Sequence, residues 1–266
     1  MSAPTVAPAF VALQPCIIHI LGGRAVRWIA LSVMLAMVAC SPHSDNRLAQ
    51  VFTPEMLGAE VPYFEAKIGP AMRVEKGFIP HDAFAEDPDK VSNLTTRTYK
   101  LGSCYVKTVA EGTKIRALGL AKISSQCTFD LNPFTPGVGF PSLSSMTFAQ
   151  FDRAAGDAIF TADCLEGCGN CCRSYVYDVW NTPHVYNFIQ VAAMGDIDGG
   201  GEGMLNAEDD WRKQIVSASG EQYLVAGTFN TDCKFDKQAH NDFAHVRIEA
   251  IWIADSDVGL RSGSCL

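Results

Sequence analysis

Three stretches of the chain have the residue pattern of β-strands, and the third also has faces of different character at the two-residue period. They are rich in β-branched and aromatic residues and span 95–101, 104–110 and 113–123. Gly102-Ser103 and Glu111-Gly112 separate them at hairpin spacing. The third stretch places small and apolar residues on one face and basic residues on the other, which is expected of an antiparallel sheet with one side in water. The first set is Ile115, Ala117, Gly119, Ala121 and Ile123, and the second is Lys114, Arg116 and Lys122.

Helical patterns precede this meander and a second one. Thr53-Pro54 is typical of a helix start, and a second short helical stretch covers 63–68. Thr147 and Gln150 form a capping-box pattern, and Asn206 is expected to cap a further helix. Further strands are predicted at 158–162, 174–180, 185–194, 223–226 and 245–253.

The order of a helix followed by an antiparallel meander occurs twice, around 54–123 and 148–194. We therefore expect an α+β fold, with helices packed on one face of an antiparallel sheet. A Pro- and Gly-rich segment at 130–145 lies between the two patterns. Two tandem halves that divide near this segment are one arrangement consistent with the pattern.

A charged, then apolar, then small-residue pattern lies ahead of these elements. Arg24 and Arg27 precede the apolar run 28–39, which leads into Cys40. Crossing a bilayer takes about 20 apolar residues, so this run fits a signal peptide better than a membrane span. We expect residues 1–39 to be a signal peptide, 40–52 a flexible tether and 53–266 the globular domain.

Met37-Val38-Ala39-Cys40 resembles the lipobox of bacterial lipoproteins. The resemblance implies cleavage before Cys40 and attachment of lipid, such as palmitate, to that cysteine on the outside of a bacterial membrane. Ser41 favours the outer membrane, and a soluble periplasmic or secreted protein is the alternative. The residues before Arg24 leave the true translation start open. They fit a long n-region, sequence ahead of a later start, or the first half of a two-segment membrane hairpin broken at Gly22-Gly23-Arg24.

Two further resemblances concern the domain itself. The helix-then-meander order is similar to that of the β-lactamase-inhibitory-protein and small outer-membrane lipoprotein folds, which mostly bind other proteins. The segment 162–170 resembles part of a group of uncharacterised exported bacterial proteins, as do the surroundings of 63–71 and 127–129. That resemblance implies one continuous exported domain and no particular activity.

Charge and cysteine content restrict the function classes. Without the two arginines of the leader, 19 basic residues stand against 29 acidic ones, a formal charge of −10, which argues against nucleic acid as a partner. Eight cysteines follow Cys40, and an even number in an exported chain predicts disulfides. Cys104 and Cys127 flank the first meander and are the simplest pair. The candidates are Cys104, Cys127, Cys164, Cys168, Cys171, Cys172, Cys233 and Cys265.

Disulfides account for these cysteines better than metal or redox chemistry does. Cys164, Cys168, Cys171 and Cys172 lack the two separated Cys-x2-Cys knuckles of zinc sites, so disulfides are favoured over a metal. Cys168 and Cys171 have the spacing of a redox pair, but the surrounding Gly and Asn predict a loop. We expect no cofactor.

An acidic loop is the weak calcium candidate, with Asp196, Asp198 and Glu202 as its oxygen ligands. It lacks the ligands that an EF-hand loop needs at its fifth and twelfth positions, so a solvated loop is favoured. His240 and His245 form no metalloprotease pattern and are expected to be surface or packing histidines.

The aromatic residues of the second meander are the candidate interface. Tyr175, Tyr177, Trp180 and Tyr186 lie close in sequence, and exposed Tyr and Trp are typical of protein or glycan interfaces, although core packing is the simpler explanation. The leading hypothesis is a non-enzymatic envelope lipoprotein that binds an envelope protein or a cell-wall component. The alternatives are an exported hydrolase with a site assembled from distant residues, and a structural surface protein.

Overall fold

The computed structural model describes residues 47–77, 93–156, 158–163, 175–187, 189–196, 201–220, 228–229, 233–255, 258 and 260. Contacts place 44–266 in one compact unit. Several predictions lie outside the described residues: the signal peptide, Cys40, Cys164, Cys168, Cys171, Cys172, Cys265, Asp198 and the strand at 223–226.

The described strands form one antiparallel sheet of nine members, in the order β1-β2-β3-β4-β9-β7-β6-β5-β8. Strand β4 pairs with β9, so both predicted meanders belong to the same sheet. The strands are β1 (Arg73–Lys76), β2 (Leu94–Leu101), β3 (Cys104–Glu111), β4 (Lys114–Ala121), β5 (Ile159–Asp163), β6 (Tyr175–Asn181), β7 (Ile189–Asp196), β8 (Thr228–Phe229) and β9 (Ala250–Asp255).

Five α-helices accompany this sheet in the described part of the chain, which confirms an α+β fold with an antiparallel sheet. At the start of the third helix the predicted capping box is present: Thr147 Oγ1 accepts from the Gln150 N–H, and Gln150 Oε1 accepts from the Thr147 N–H. The helices are α1 (Arg47–Val51), α2 (Val61–Ile68), α3 (Phe148–Ala155), α4 (Gly201–Ser219) and α5 (Asp236–Asp242).

The buried apolar side chains form two clusters, and alternate residues of a strand belong to different ones. In β6, Val176 and Trp180 belong to the larger cluster, which also contains the buried apolar residues of the helices. Tyr177 and Val179 belong to the smaller cluster, together with Trp252 of β9. This division follows from the two-residue period of a strand, which sends successive side chains to opposite faces.

Several elements differ from the sequence expectations. The tether predicted at 40–52 is partly folded, since α1 lies within it and Leu48, Val51 and Phe52 are buried in the larger cluster. Helix α4 begins at Gly201, five residues before the predicted cap Asn206. Strand β1 and helix α5 were not predicted.

Among the described residues, no helix combines the length and the apolar character that crossing a lipid bilayer requires.

Candidate functional site

A concave surface on the sheet is the first candidate site, and we call it the sheet groove. Strands β3, β4, β6, β7 and β9 and the residues next to them line a cavity of about 750 Å³. That volume is in the range of sites that hold small ligands. The side chains that define it are those of Tyr105, Lys107, Lys122, Tyr175, Glu249 and Trp252.

Trp252 and Gly119 form the floor of the sheet groove, and they are directly paired across β4 and β9. A Cβ atom at residue 119 would lie 2.7 Å from the Trp252 ring, which is closer than carbon atoms approach one another. Glycine at this position therefore leaves the space that the indole ring occupies.

Charged groups of both signs flank the floor. Lys122 Nζ lies 4.9 Å from the centre of the Tyr105 ring, a cation–π distance. On another side, Glu249 Oε2 accepts a hydrogen bond of 3.0 Å from the Asp196 N–H. Burial raises the pKa of Glu249, and the nearby Asp196 charge raises it further, while the hydrogen bond opposes both. The sheet groove thus offers aromatic faces, a cation and an acid to one ligand.

A second candidate site is a group of acids around one histidine, which we call the Asp–His cluster. It consists of Asp152 of α3, Asp178 of β6, and Asp236 and His240 of α5. His240 Nδ1 lies 2.8 Å from Asp152 Oδ2, and His240 Nε2 lies 3.2 Å from both Asp236 Oδ2 and the Ala158 carbonyl oxygen. Asp236 Oδ1 also accepts from the Phe160 N–H at 2.7 Å, which fixes the position of that carboxylate.

Asp178 lies at the bottom of the Asp–His cluster and is fully buried. No N–H or hydroxyl group of the described residues donates to its carboxylate oxygens. Burial raises the pKa of Asp178 well above its ordinary value, and a hydrogen bond with the Asp152 carboxylate and the charges of Asp152 and Asp236 raise it further. A buried carboxyl group beside other acids favours its neutral form.

His240 is held as an imidazolium in this arrangement. Burial lowers its pKa, but the hydrogen bonds and charges of Asp152 and Asp236 outweigh that effect and raise the pKa to about 10. Both ring nitrogens are occupied by these acids and by the Ala158 carbonyl. No ring nitrogen of His240 is therefore directed at a serine or cysteine nucleophile, as a catalytic triad requires.

The four aromatic residues predicted as an interface fall into two groups. Tyr177 and Trp180 are 3 % and 7 % exposed, so they pack inside the protein and offer no anchor to a partner. Tyr175 and Tyr186 are half-buried, and the Tyr186 hydroxyl donates to the Pro136 carbonyl. Of the four, Tyr175 lines the sheet groove.

The other predicted site residues are placed as follows. Cys104 and Cys127 form a disulfide, and Cys233 is also disulfide-bonded. The calcium candidate Asp196 ends β7, and Glu202 lies in the first turn of α4, while Asp198 is outside the described residues. Among the described residues, neither Asp196 nor Glu202 belongs to a group with metal-ligand spacing.

Sequence reasoning missed the Asp–His cluster because its members come from three elements. Asp152 and His240 are 88 residues apart. One signal was present: Asp178 lies midway between Val176 and Trp180, on the same side of an otherwise apolar strand. An acid at an inward position of a strand indicates either a partner or a ligand.

Comparisons with protein-family models, with curated proteins and with solved structures found no match for the chain.

Proposed function

We propose that the protein is an envelope lipoprotein, anchored through Cys40, whose non-enzymatic domain binds a cell-wall glycan in the sheet groove. An exported hydrolase and a structural surface protein are the alternative functions. The observation that carries the proposal is the composition of the groove, where aromatic rings and groups of both charges surround a cavity of ligand size.

A glycan fits these groups better than a flat protein surface does. Sugar rings present apolar faces that stack on aromatic side chains such as Tyr105 and Tyr175, and hydroxyl groups that bond to Lys122 and Glu249. The cavity of about 750 Å³ is concave, whereas protein–protein contacts of standard size bury about 800 Å² of each partner.

The arrangement of the two apolar clusters supports a finer proposal for the fold. We infer that the helices pack on one face of the sheet and leave the groove on the other. The buried apolar side chains of all five described helices belong to the larger cluster. Trp252, at the groove floor, belongs to the smaller one, in which the described members come from strands and from the segment after β9.

The Asp–His cluster does not strengthen the hydrolase alternative. His240 is charged and both its ring nitrogens are engaged, so it lacks the free nitrogen that a general base uses to take a proton. The groove therefore remains the better-supported site, and binding the better-supported function.

Lipid anchoring is supported by the Arg24 to Cys40 pattern and is tested by labelling. In a bacterial host given labelled palmitate, the wild-type protein should carry label, and Cys40→Ser should carry none. Export is measured separately. A wild-type protein that is exported but carries no label would contradict lipid anchoring and favour plain secretion.

Glycan binding is tested by sedimenting the purified protein with isolated peptidoglycan sacculi. Tyr175→Ala and Lys122→Gln should each weaken binding about tenfold, which corresponds to about 1.4 kcal/mol. Tyr63→Ala is the matched control, since Tyr63 is an exposed tyrosine, 55 % accessible, on α2. Wild-type protein that stays in the supernatant, or equal loss in all three variants, would contradict the proposal.

A further inference from the structure

We propose that the Asp–His cluster is a binding site for a divalent transition-metal ion such as Zn²⁺, with Asp152, Asp178 and His240 as its protein ligands. The inference is independent of the sheet groove and of the function proposed for it.

The geometry of the donor atoms supports a shared ion. One ligand atom from each of Asp152, Asp178 and His240 lies within 4.8 Å of the other two. In a tetrahedral zinc site with bonds of about 2.0–2.2 Å the donor atoms lie about 3.3–3.6 Å apart. Side-chain rotations in the cluster would have to draw the three atoms closer together around the ion.

The unpartnered carboxylate of Asp178 is the second, independent observation. Both of its oxygens are fully enclosed, and no N–H or hydroxyl group of the described residues donates to them or to Asp152 Oδ1. When both carboxyl groups are ionised, each is a buried charge without a donor, which is destabilising. A cation between Asp152 and Asp178 removes that cost at both carboxylates.

Asp236 orients His240 through a hydrogen bond, as carboxylates commonly do for metal-binding histidines. In the metal-free protein both ring nitrogens of His240 carry protons, and a bound cation would displace the Nδ1 proton that faces Asp152. The Nε2–H would keep its hydrogen bonds to Asp236 Oδ2 and to the Ala158 carbonyl. A ligating histidine usually donates its other ring N–H to a carboxylate or a backbone carbonyl, which fixes its tautomer. Asp236 is itself held by the Phe160 N–H, so the histidine and its support are positioned in advance.

The chemistry of the donors selects the class of metal. An imidazole nitrogen with two carboxylates suits Zn²⁺ and similar transition metals, whereas Ca²⁺ and Mg²⁺ prefer oxygen donors alone. The side chains of Asp152 and His240 are 18 % and 26 % exposed, so an ion can reach the site from solvent. Bound there, it would join α3, β6 and α5.

The test is titration of the chelator-treated, disulfide-intact protein with Zn²⁺ by calorimetry. Wild-type protein should bind one ion at this site, and Asp178→Asn and His240→Gln should each weaken binding at least about tenfold, since even changes to outer-shell groups commonly cost 10–100-fold. Asp242→Asn is the matched control, because it removes the same charge from α5 outside the cluster. Its affinity should stay within about twofold of wild type.

X-ray absorption of the Co²⁺-loaded wild-type protein gives a readout that needs no variant. A spectrum with only nitrogen and oxygen ligands around the cobalt supports the proposed site. A spectrum with sulfur ligands overturns the proposal, because the metal is then bound by cysteines. The absence of saturable Zn²⁺ binding, or wild-type affinity in His240→Gln, overturns it as well. If Asp178→Asn does not fold, the Zn²⁺ affinity of His240→Gln and the X-ray absorption spectrum of the wild-type protein test the proposal.

Discussion

Gly119 has no Cβ atom, and the Trp252 ring occupies the space that a side chain at this position would need. Gly119→Ala should therefore displace the ring and lower the free energy of unfolding by about 1–3 kcal/mol, the usual cost of overpacking. Urea denaturation measures this change.

Gly203→Ala is the control for that substitution. Gly203 lies in α4, and a Cβ there meets nothing within 4 Å. Alanine in a helix is favoured over glycine by up to about 1 kcal/mol, so this variant should be as stable as wild type or more so. Equal stability of Gly119→Ala and wild type would show that the floor of the groove is not packed as described.

Glu249 should give the protein a pH-dependent stability. Its pKa is raised in the folded state, chiefly by burial, so the folded protein holds this proton more tightly than the unfolded chain. The resulting stabilisation is complete below the unfolded pKa, about 4.3, and is lost as the pH rises through the folded pKa.

The measurement is chemical denaturation of wild type and Glu249→Gln across that range. Glutamine keeps an acceptor for the Asp196 N–H but does not titrate. Relative to this variant, wild type should lose stability as the pH increases and then level off. If the difference in unfolding free energy between wild type and Glu249→Gln is constant with pH, or changes in the opposite direction, burial does not raise the pKa of Glu249 as described.

Single residues of the two sites were only partly predictable. Tyr175 was identified from its residue type and position, yet its neighbours Tyr177 and Trp180 have the same character and are buried. The sequence period shows which residues share a face of a strand, but both faces of β6 are covered, so it does not show which residues remain exposed. Asp178 and His240 meet only through tertiary contacts.

At the scale of elements, the Cys104–Cys127 disulfide joins the start of β3 to the segment after β4. The two cysteines are 23 residues apart, and both are buried. Replacing both by alanine should lower the free energy of unfolding by about 2–4 kcal/mol, because the unfolded chain then gains conformational freedom. A loss well below this range, measured by urea denaturation against wild type, would mean that the disulfide contributes little to the fold.

The elements predicted best are those with strong local signals. Strands β2, β3 and β4 are bounded by short turns, and the capping box of α3 fixes its first residue. The wet side predicted for this meander is wrong for β4, where Leu118 and Leu120 are buried on one face and Ala117 on the other. Helix α5 has only Ala239 among its buried residues, so its seven residues carry almost no periodic pattern. Helix α1 lies in a polar stretch, and only Leu48 and Val51 connect it to the core.

At the scale of the molecule, the pairing of β4 with β9 makes one sheet from two meanders. The sequence predicts each meander but not this pairing, because β9 follows β4 by more than a hundred residues and no local pattern connects them. The pairing places Trp252 beside Gly119 and builds the sheet groove from both parts of the chain. The proposed function depends on this arrangement.

Chemical-shift mapping by NMR with soluble peptidoglycan fragments tests glycan binding most directly. Saturable shifts are expected for amides around Tyr105, Lys122 and Tyr175 and for the Trp252 indole N–H, while the amides of α2 remain unchanged. The fragments should shift the same groove signals less in Tyr175→Ala at equal concentration. No saturable shift in the wild-type protein, or shifts confined to the helices, would contradict the account.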